Sequence, residues 1–340
     1  MKTVTILIPC YNEEASLPLL YEKLDELGSD KRYAWEFLFI NDGSKDGTLT
    51  LLKELSGKDE RVRYVSLSRN FGKENAMLAG FDLASGDCMV IMDADLQHPP
   101  TLIPEMLRLW EEGYEDVYAR RKDRGTDSWL RRRLSNTYYK MLQKLSNVDI
   151  LRNVGDFRLL DRKCIDALKQ LREIERYTKG MYCWIGFKKT ELEFDVAERV
   201  AGKSSFSYLK LIKLAANGFT SYTTAPLKVS TYIGMAVSLL SFVLMIISFI
   251  KALLYGDPVQ GYPTLITVIL FLGGVQLLSL GIIGEYLGKV FNETKHRPVY
   301  LISETNCTEA HSGISPLSGD PISSTSNRCS GNLIAPDRPL

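Results

Sequence analysis

The stretch Met89-Val90-Ile91-Met92-Asp93-Ala94-Asp95-Leu96-Gln97-His98-Pro99-Pro100 decides the fold, because a short apolar run ends there in two carboxylates one residue apart. An apolar run of this length bounded by prolines predicts a buried strand of a parallel sheet. Open parallel sheets place their ligand sites just beyond the carboxyl ends of the strands. Side chains at i and i+2 of an extended segment point the same way, so Asp93 and Asp95 could share one hard cation, which could in turn bind a diphosphate. Taken alone, Asp-x-Asp is more typical of a polar surface loop, and the rest of the chain favours the cation site instead.

Length and composition predict a large soluble domain and a further, more apolar segment. The chain has 340 residues, 45% of them hydrophobic and a net charge of +1, yet almost no charge falls in residues 232–286. Six cysteines without a Cys-x-x-Cys pair indicate reduced thiols facing a cytosol. Three histidines exclude a histidine-clustered metal site. The apolar run at the start of the chain is too short and too rich in β-branched residues for a signal peptide. It predicts a strand instead.

Strand-like and helix-like segments alternate through the first hundred residues. Strands are predicted at residues 4–10, 35–40, 62–67 and 88–92, with helices up to about residue 27 and over 46–55 and 73–84. This alternation predicts βαβ units, hence an α/β domain with a parallel sheet wound with helices on both faces. A helix over 101–112 and a strand over 116–119 follow. Each of the first four strands ends in a polar cluster, and we expect these clusters to line one crevice.

The crevice suits a nucleotide, although the glycine-rich fingerprints of dinucleotide sites and phosphate loops are absent from the sequence. The diphosphate would therefore be held through a cation on Asp93 and Asp95. Asp42, at the end of the second strand, is placed either to accept hydrogen bonds from a base or ribose or to form a turn. Arg69 and Lys73 could contact phosphate, or could be solvated charges at the start of a helix.

Three later segments are basic. The pattern of residues 127–150 predicts an amphipathic basic helix with aromatic residues, either on an anionic membrane surface or as an ordinary domain helix. Residues 199–205 gather two cations, a glycine and two hydroxyls, as in a phosphate cradle or a polar surface turn. Residues 207–230 form an amphipathic juxtamembrane segment.

Two apolar runs, residues 231–254 and 264–287, predict transmembrane helices. Each carries a single charge near its end, and about 23 residues at 1.5 Å each span roughly 35 Å, enough for a hydrocarbon core of about 30 Å. The loop at 255–263 contains no Lys or Arg, whereas both outer flanks are basic. The positive-inside rule therefore places the catalytic domain, the segment 288–303 and both termini in the cytoplasm, with the loop outside.

The second span carries a glycine stripe at Gly274, Gly281 and Gly288, and Gly284 pairs with Gly288 as Gly-x-x-x-Gly. Such a stripe permits close helix contact in lipid, either with the first span or in a homo-oligomer, for which a tetramer is one possibility. Residues 304–340 are rich in Ser, Pro, Gly and Asn and are expected to be a disordered tail.

As a set, the motifs resemble glycosyltransferase family 2, and more narrowly the polyprenyl-phosphate glycosyltransferases. The resemblance covers roughly residues 1–303 and is carried by Pro9-Cys10-Tyr11-Asn12-Glu13-Glu14, Asn41-Asp42-Gly43-Ser44, Ser68-Arg69-Asn70-Phe71-Gly72, the Asp93-Ala94-Asp95 stretch, Gly155-Asp156-Phe157-Arg158 and residues 199–205.

The resemblance implies a GT-A type catalytic domain over residues 1–206 and a membrane-bound enzyme. The expected reaction is inverting transfer of a hexose from a nucleotide diphosphate sugar to polyprenyl phosphate, with Mg²⁺ or Mn²⁺. UDP-glucose is the leading donor, with UDP-N-acetylglucosamine, UDP-galactose and GDP-mannose behind it. The expected partners are this donor, the polyprenyl phosphate lipid and the membrane, and not nucleic acid.

The resemblance also implies roles for single residues. Asp156 would be the catalytic carboxylate, and Asp93 and Asp95 would bind the metal. Nucleotide-sugar binding would involve Pro9, Tyr11, Asn12, Glu13, Asp42, Arg69, Lys73, Asp93, Ala94, Asp95 and Gln97. Lipid phosphate or diphosphate would be held by Arg158, Arg199, Lys203 and Ser205.

Elementary chemistry qualifies the role of Asp156. A phosphate monoester has its second pKa near 6, so the lipid phosphate is already largely an anionic nucleophile at neutral pH. We therefore expect Asp156 to orient a substrate and stabilise positive charge at the anomeric carbon, with proton removal secondary. A processive polysaccharide synthase shares the nucleotide half, but the chain lacks Gln-x-x-Arg-Trp and has only two predicted spans. A non-catalytic membrane scaffold that retains the fold is the other alternative.

Overall fold

The computed structural model describes residues 1–121, 154–174, 176–194, 225–255 and 261–307. The predictions for the interfacial helix at 127–150, for Arg199, Lys203 and Ser205, for residues 207–224 and for residues 308–340 lie outside this part of the chain.

The described residues form eight strands and eight helices. The strands are β1 (Thr3–Cys10), β2 (Ala34–Asn41), β3 (Val62–Leu67), β4 (Cys88–Ile91), β5 (Asp116–Arg121), β6 (Val154–Asp161), β7 (Lys189–Phe194) and β8 (Ile302–Thr305). The helices are α1 (Leu17–Gly28), α2 (Thr48–Lys58), α3 (Lys73–Leu83), α4 (Ile103–Glu111), α5 (Arg162–Gln170), α6 (Thr178–Trp184), α7 (Ala225–Tyr255) and α8 (Tyr262–Thr294). A 3-10 turn at Pro100–Leu102 precedes α4.

All eight strands belong to one sheet, in the order β7-β5-β6-β4-β1-β2-β3-β8. The neighbours β4, β1, β2 and β3 are parallel, as the βαβ pattern predicts. Strand β6 then runs antiparallel to β4, and β5 runs antiparallel to β6. The amino end of β6 therefore lies at the carboxyl edge of the parallel strands, where the polar clusters lie.

The core occupies both faces of the sheet, because side chains alternate along a strand. On β1, Ile6 and Ile8 pack in the cluster that contains residues of α1 and α4, while Leu7 packs in the cluster that contains α3. All three are fully buried. Helix α3 approaches most closely at Gly80, where an added Cβ would lie 2.2 Å from a methyl carbon of Leu7.

The predicted tail boundary at residue 304 is wrong, because Glu304 and Thr305 lie in β8, antiparallel to β3. The side chain of Asn306 continues the pairing by accepting a hydrogen bond from the backbone N–H of Tyr64 at 2.7 Å. Without β8, strand β3 would be a sheet edge with unpaired backbone groups. Pairing with a distant strand, rather than local composition, orders these residues.

Helices α7 and α8 form a hairpin joined by a hydrogen bond between Ser230 Oγ and Ser279 Oγ at 2.8 Å. Within the described residues, one segment is long and apolar enough to cross a membrane, Phe271–Thr294, with mean hydropathy 1.3 and none of it buried. A Cβ added at Gly274, Gly281, Gly284 or Gly288 meets no described atom within 4 Å. The glycine stripe is therefore not packed against the described part of α7.

Candidate active site

The register between β4 and β6 brings the acidic pair and the expected catalytic carboxylate together. Val90 pairs with Leu159 and Ile91 with Arg158 in this antiparallel ladder. Two residues beyond the last pair, the same register sets Asp93 opposite Asp156. Carboxylates separated by more than sixty residues of sequence therefore meet at the carboxyl edge of the sheet.

Lys73, the first residue of α3, joins these two carboxylates. Its Nζ lies 2.5 Å from Oδ1 of Asp93 and 2.8 Å from Oδ2 of Asp156. The sequence predicts Lys73 on phosphate or in solvent, whereas the structure shows a cation shared by two acidic groups.

The charge state of Asp156 follows from its neighbours. Burial would raise the pKa of this carboxyl, but the ammonium groups of Lys73 and Lys179 and the hydrogen bond from Lys73 lower it to about 2. Burial likewise opposes the charge on Lys73, yet Asp156 and Asp93 raise the pKa of its ammonium above the usual value. Oδ1 of Asp156 is buried and has no hydrogen-bond partner among the described residues. The site thus contains a buried, ionised carboxylate with little tendency to take a proton.

The segment after β4 alternates in exposure. Asp93, Asp95 and Gln97 are partly exposed, whereas Ala94 and His98 are buried. The N–H of Gln97 donates to Oδ1 of Asp95 at 3.2 Å. The two aspartates therefore reach the surface from the same side of the chain, as the i, i+2 spacing predicts, while the side chain of Ala94 is packed inside.

His98 fixes the backbone of this segment. Its Nδ1 accepts a hydrogen bond from the N–H of Asp93 at 3.1 Å, and its ring stacks on Phe157 with centroids 4.8 Å apart. A histidine that accepts at Nδ1 in its neutral form carries its proton on Nε2. His98 is absent from the predicted site residues, although its place in the Asp93-Ala94-Asp95-Leu96-Gln97-His98 motif was a usable signal.

Side-chain bonds join the loops after β1 and β2. Oδ1 of Asn12 accepts from the N–H of Lys45 at 2.9 Å, and the N–H of Glu13 donates to Oγ1 of Thr48 at 2.9 Å. Tyr11 is 43% exposed beside them. The predicted nucleoside-binding residues of this region, Pro9, Tyr11, Asn12 and Glu13, thus lie at the crevice edge, where two of them also hold the loops together.

Asp42 braces the loop after β3. Its two carboxylate oxygens accept the backbone N–H groups of Phe71 at 2.7 Å and Gly72 at 2.9 Å, and the residue is 3% exposed. Burial raises the pKa of Asp42, while these two bonds act to lower it. Gly43 follows with φ +64°, and an added Cβ would lie 2.4 Å from the backbone of Arg69. This contact differs from the local turn considered for Asp42, and its role in binding a base or ribose stays a prediction.

Arg69 lies in the braced loop with its side chain at the surface. Its Nη1 donates to the carbonyl of Asn70 at 3.0 Å, and its guanidinium lies 4.1 Å from the ring centroid of Phe71. The side chain is exposed at the same edge of the sheet as the aspartates.

The prediction that Arg158 holds a phosphate is wrong. Arg158 is 2% exposed, its Nη1 lies 2.9 Å from Asp116, and its guanidinium stacks 3.6 Å from the ring centroid of Tyr182. The reason is its position two residues further along β6 than Asp156, inside the sheet rather than at its edge. Arg158 and Asp116 form a buried ion pair beneath the site.

Glu74 is a further titratable group of the site that is not among the predicted residues. Burial, with repulsion from Asp156, raises its pKa to about 7, and its Oε2 accepts the N–H of Thr178 at 3.0 Å. Its place directly after Lys73 on α3 was the available signal. Lys179, which acts on both Asp156 and Glu74, follows no motif that would have selected it.

The residues fit a divalent metal in part. Mg²⁺ and Mn²⁺ prefer oxygen ligands, and Asp93 and Asp95 offer two carboxylates at the surface of the crevice. No group of three or more metal-ligating side chains occurs in the described residues, so the remaining ligands of such an ion would come from substrate and water. Lys73 competes for one oxygen of Asp93.

Comparison with known proteins identifies the family of the chain. The glycosyl transferase family 2 model matches residues 5–169, and the GtrB C-terminal hairpin model matches residues 225–290. The putative glycosyltransferase CsbB of Bacillus subtilis is 46% identical over 303 residues, covering 89% of this chain and 92% of that protein. This chain belongs to glycosyl transferase family 2. The family 2 enzyme is also 44% identical to the bactoprenol glucosyl transferase of Shigella phage SfV, over 88% of this chain and 97% of that protein.

A solved structure is similar to part of this family 2 enzyme. Glucosyl-3-phosphoglycerate synthase from Mycobacterium tuberculosis, in complex with Mn²⁺, UDP and glucosyl-3-phosphoglycerate, aligns with a TM-score of 0.40 and 19% identity over 64% of this chain and 76% of that one.

Proposed function

We propose that this glycosyltransferase moves glucose from UDP-glucose to undecaprenyl phosphate, with inversion at the anomeric carbon, to give a lipid-linked sugar for cell-envelope glycosylation. The observation that carries the proposal is the 44% identity with a bactoprenol glucosyl transferase, which extends over 97% of that protein. A processive polymerase or a scaffold would not require this match across both the catalytic domain and the hairpin.

The chain's own residues supply charge and orientation. An oxygen of the lipid phosphate attacks the anomeric carbon of glucose, the bond from that carbon to the nucleoside diphosphate breaks, and UDP leaves with the bonding electrons. Asp156 remains ionised and stabilises positive charge that develops on the sugar. Lys73 keeps Asp156 charged and in place. A phosphate already ionised at neutral pH does not need Asp156 as a base.

A divalent ion, Mg²⁺ or Mn²⁺, would be held by Asp93 and Asp95 and would supply positive charge against the departing diphosphate. Lys73 lies beside this position, and its positive charge offsets the charges of Asp93 and Asp156. These carboxylates therefore repel the donor diphosphate less.

Binding roles are proposed for the rest of the predicted set. Pro9, Tyr11, Asn12 and Glu13 would contact the nucleoside at the loop after β1, with Arg69, Ala94 and Gln97 completing the donor site. Arg199, Lys203 and Ser205, beyond the described residues, would hold the lipid phosphate.

The hairpin associates the enzyme with a membrane, and we propose two spans with the catalytic domain and both termini on the cytoplasmic side. The loop between the spans lacks Lys and Arg, which supports this orientation. A homo-oligomer through the glycine stripe of α8 is also proposed, because an added Cβ at those glycines would meet no described atom within 4 Å.

The test is to incubate the purified protein with undecaprenyl phosphate and radiolabelled UDP-glucose, UDP-N-acetylglucosamine, UDP-galactose and GDP-mannose in separate reactions. The expected result is a lipid-linked product with UDP-glucose that disappears with Asp95→Ala. A product with another donor alone would correct the sugar, and no product with any donor would refute the transferase proposal.

A further inference from the structure

Residues 295–307, here called the return segment, lead from the end of α8 back into the catalytic domain. Five residues lie between Thr294 and Tyr300, so the distance between these two residues is at most about 22 Å. Tyr300 is 2% exposed and Ile302 is 4% exposed, in the same apolar cluster as α3. The chain after the hairpin is therefore part of the core of the catalytic domain.

Side-chain bonds tie this end of the hairpin to the far end of α3. The hydroxyl of Tyr300 donates to Oδ2 of Asp82 at 2.6 Å. Arg172 forms a bidentate pair with the same carboxylate at 2.7 and 2.8 Å. In the last turn of α8, Oε2 of Glu293 accepts the N–H of Ile174 at 3.1 Å. Asp82 is thus the point at which the return segment and the segment after α5 meet.

Helix α3 connects this point to the active site. It has 11 residues, a rigid length of about 16 Å, with Asp82 near its end and Lys73 at its start. A second route runs through the sheet, where the N–H of Ser68 donates to the carbonyl of Leu301 at 2.9 Å, just before the loop that leads to Lys73. Through both routes, only a short stretch of chain separates the return segment from Lys73.

We propose that the return segment is a spacer that fixes Asp156 at a set height above the membrane-embedded part of α8. The enzyme thereby favours a phosphate monoester carried by a membrane lipid over the same group in solution. Tyr300 and Asp82 are positioning residues in this scheme, since neither is near the reacting atoms. The proposal rests on the proposed acceptor class and adds how the fold selects it.

The linker at residues 295–298 is exposed, so it accepts extra residues without disturbing the core. The test variant carries a flexible Gly-Ser insertion of about eight residues between Arg297 and Pro298. A matched control carries the same insertion between Lys31 and Arg32. This exposed site precedes β2 and therefore lies at the amino ends of the parallel strands, away from the active site. A thermal unfolding transition like that of the unaltered protein shows that each variant is folded.

Each variant is assayed with undecaprenyl phosphate in nanodiscs and with a water-soluble short-chain isoprenyl phosphate. The linker insertion is expected to lower kcat/KM for the embedded lipid about tenfold or more, because a longer tether lowers the effective concentration of the site at the membrane. The kcat/KM for the soluble acceptor and the KM for the donor should change less than about twofold. The control insertion should leave kcat/KM unchanged for both acceptors.

Equal activity of the linker variant on the embedded lipid would overturn the spacer, and so would an equal loss on both acceptors, which would indicate a merely structural role. Tyr300→Phe removes a single hydrogen bond and should raise KM for the embedded lipid about threefold with kcat unchanged. If the unaltered protein transfers sugar to neither acceptor, the proposed function fails and the spacer with it. If it does transfer and the insertion has no effect, only the spacer fails.

Discussion

The ammonium group of Lys73 lies between two carboxylates, 2.5 Å from Asp93 and 2.8 Å from Asp156. One of these acids belongs to the proposed metal pair and the other is the proposed catalytic carboxylate. The ammonium group of Lys73 thus couples the charge of Asp93 in the proposed metal site to the charge of Asp156, the proposed catalytic carboxylate.

Replacing Asp156 by Asn removes the negative charge and keeps the shape. We expect kcat to fall about 1000-fold with little change in donor KM, because the charge stabilises the transition state rather than the bound donor. Since the pKa of Asp156 is held at about 2, it is ionised throughout the working range and the loss should persist from about pH 6 to 9. A pH-rate profile checks this, and recovery of Asp156→Asn at high pH would favour a base role instead.

Lys73→Met should have opposite effects on catalysis and on metal binding. The loss of the shared cation is expected to lower kcat about 100-fold. Without donor, Mn²⁺ affinity measured by electron paramagnetic resonance should rise, because Asp93 loses a competing cation. Lys163→Met, which removes an exposed ammonium 3.3 Å from Glu115, is the control and should change neither quantity. Unchanged Mn²⁺ affinity in Lys73→Met would place the metal away from Asp93.

Much of the sheet could be predicted from sequence because its central strands are apolar runs between turn residues, and β3 has the predicted bounds. Helix α2 begins at Thr48 rather than Asp46, because Asp46 lies in the turn before the helix, where its Oδ1 accepts the N–H of Thr48. Strand β8 was beyond prediction, because its polar residues become a strand only by pairing with a segment more than 200 residues earlier.

The site divides in the same way. The positions of Asp93 and Asp95 at a strand end follow from local sequence. The contact of Lys73 with Asp156 depends on β6 running antiparallel beside β4, which no local pattern encodes. The same topology buries Arg158, whose motif position alone suggested a ligand.

Arg158→Met tests the buried ion pair. It leaves the carboxylate of Asp116, itself 1% exposed, without its partner, which should cost about 3–5 kcal/mol of folding free energy. Thermal unfolding in detergent should show a clearly lower apparent Tm, and adding Asp116→Leu should recover part of the loss. An unchanged Tm with a raised acceptor KM would restore Arg158 as a phosphate ligand.

Asp42→Asn tests the loop brace. An amide offers one acceptor atom where the carboxylate offers two, so either the bond from Phe71 or that from Gly72 is lost, at about 1–3 kcal/mol. A looser loop should raise donor KM about fivefold while kcat changes less. Asp30→Asn, which alters an exposed pair with Arg32, is the control. Steady-state kinetics at several donor concentrations measure both, and an unchanged donor KM would separate this loop from the donor.

Glu74 makes stability depend on pH near neutrality. Its pKa is raised in the folded protein from the usual 4.5 to about 7 by burial and by Asp156. A carboxyl that binds its proton more tightly when folded stabilises the fold below its unfolded pKa, and that contribution is lost as pH rises through about 7. The apparent Tm of the unaltered protein should therefore fall between pH 5 and pH 8, and Glu74→Gln, which cannot ionise, should flatten this part of the profile. Glu105→Gln removes an exposed carboxyl on α4 and should leave the slope unchanged. If Glu74→Gln retains the full slope, another group must titrate in this range.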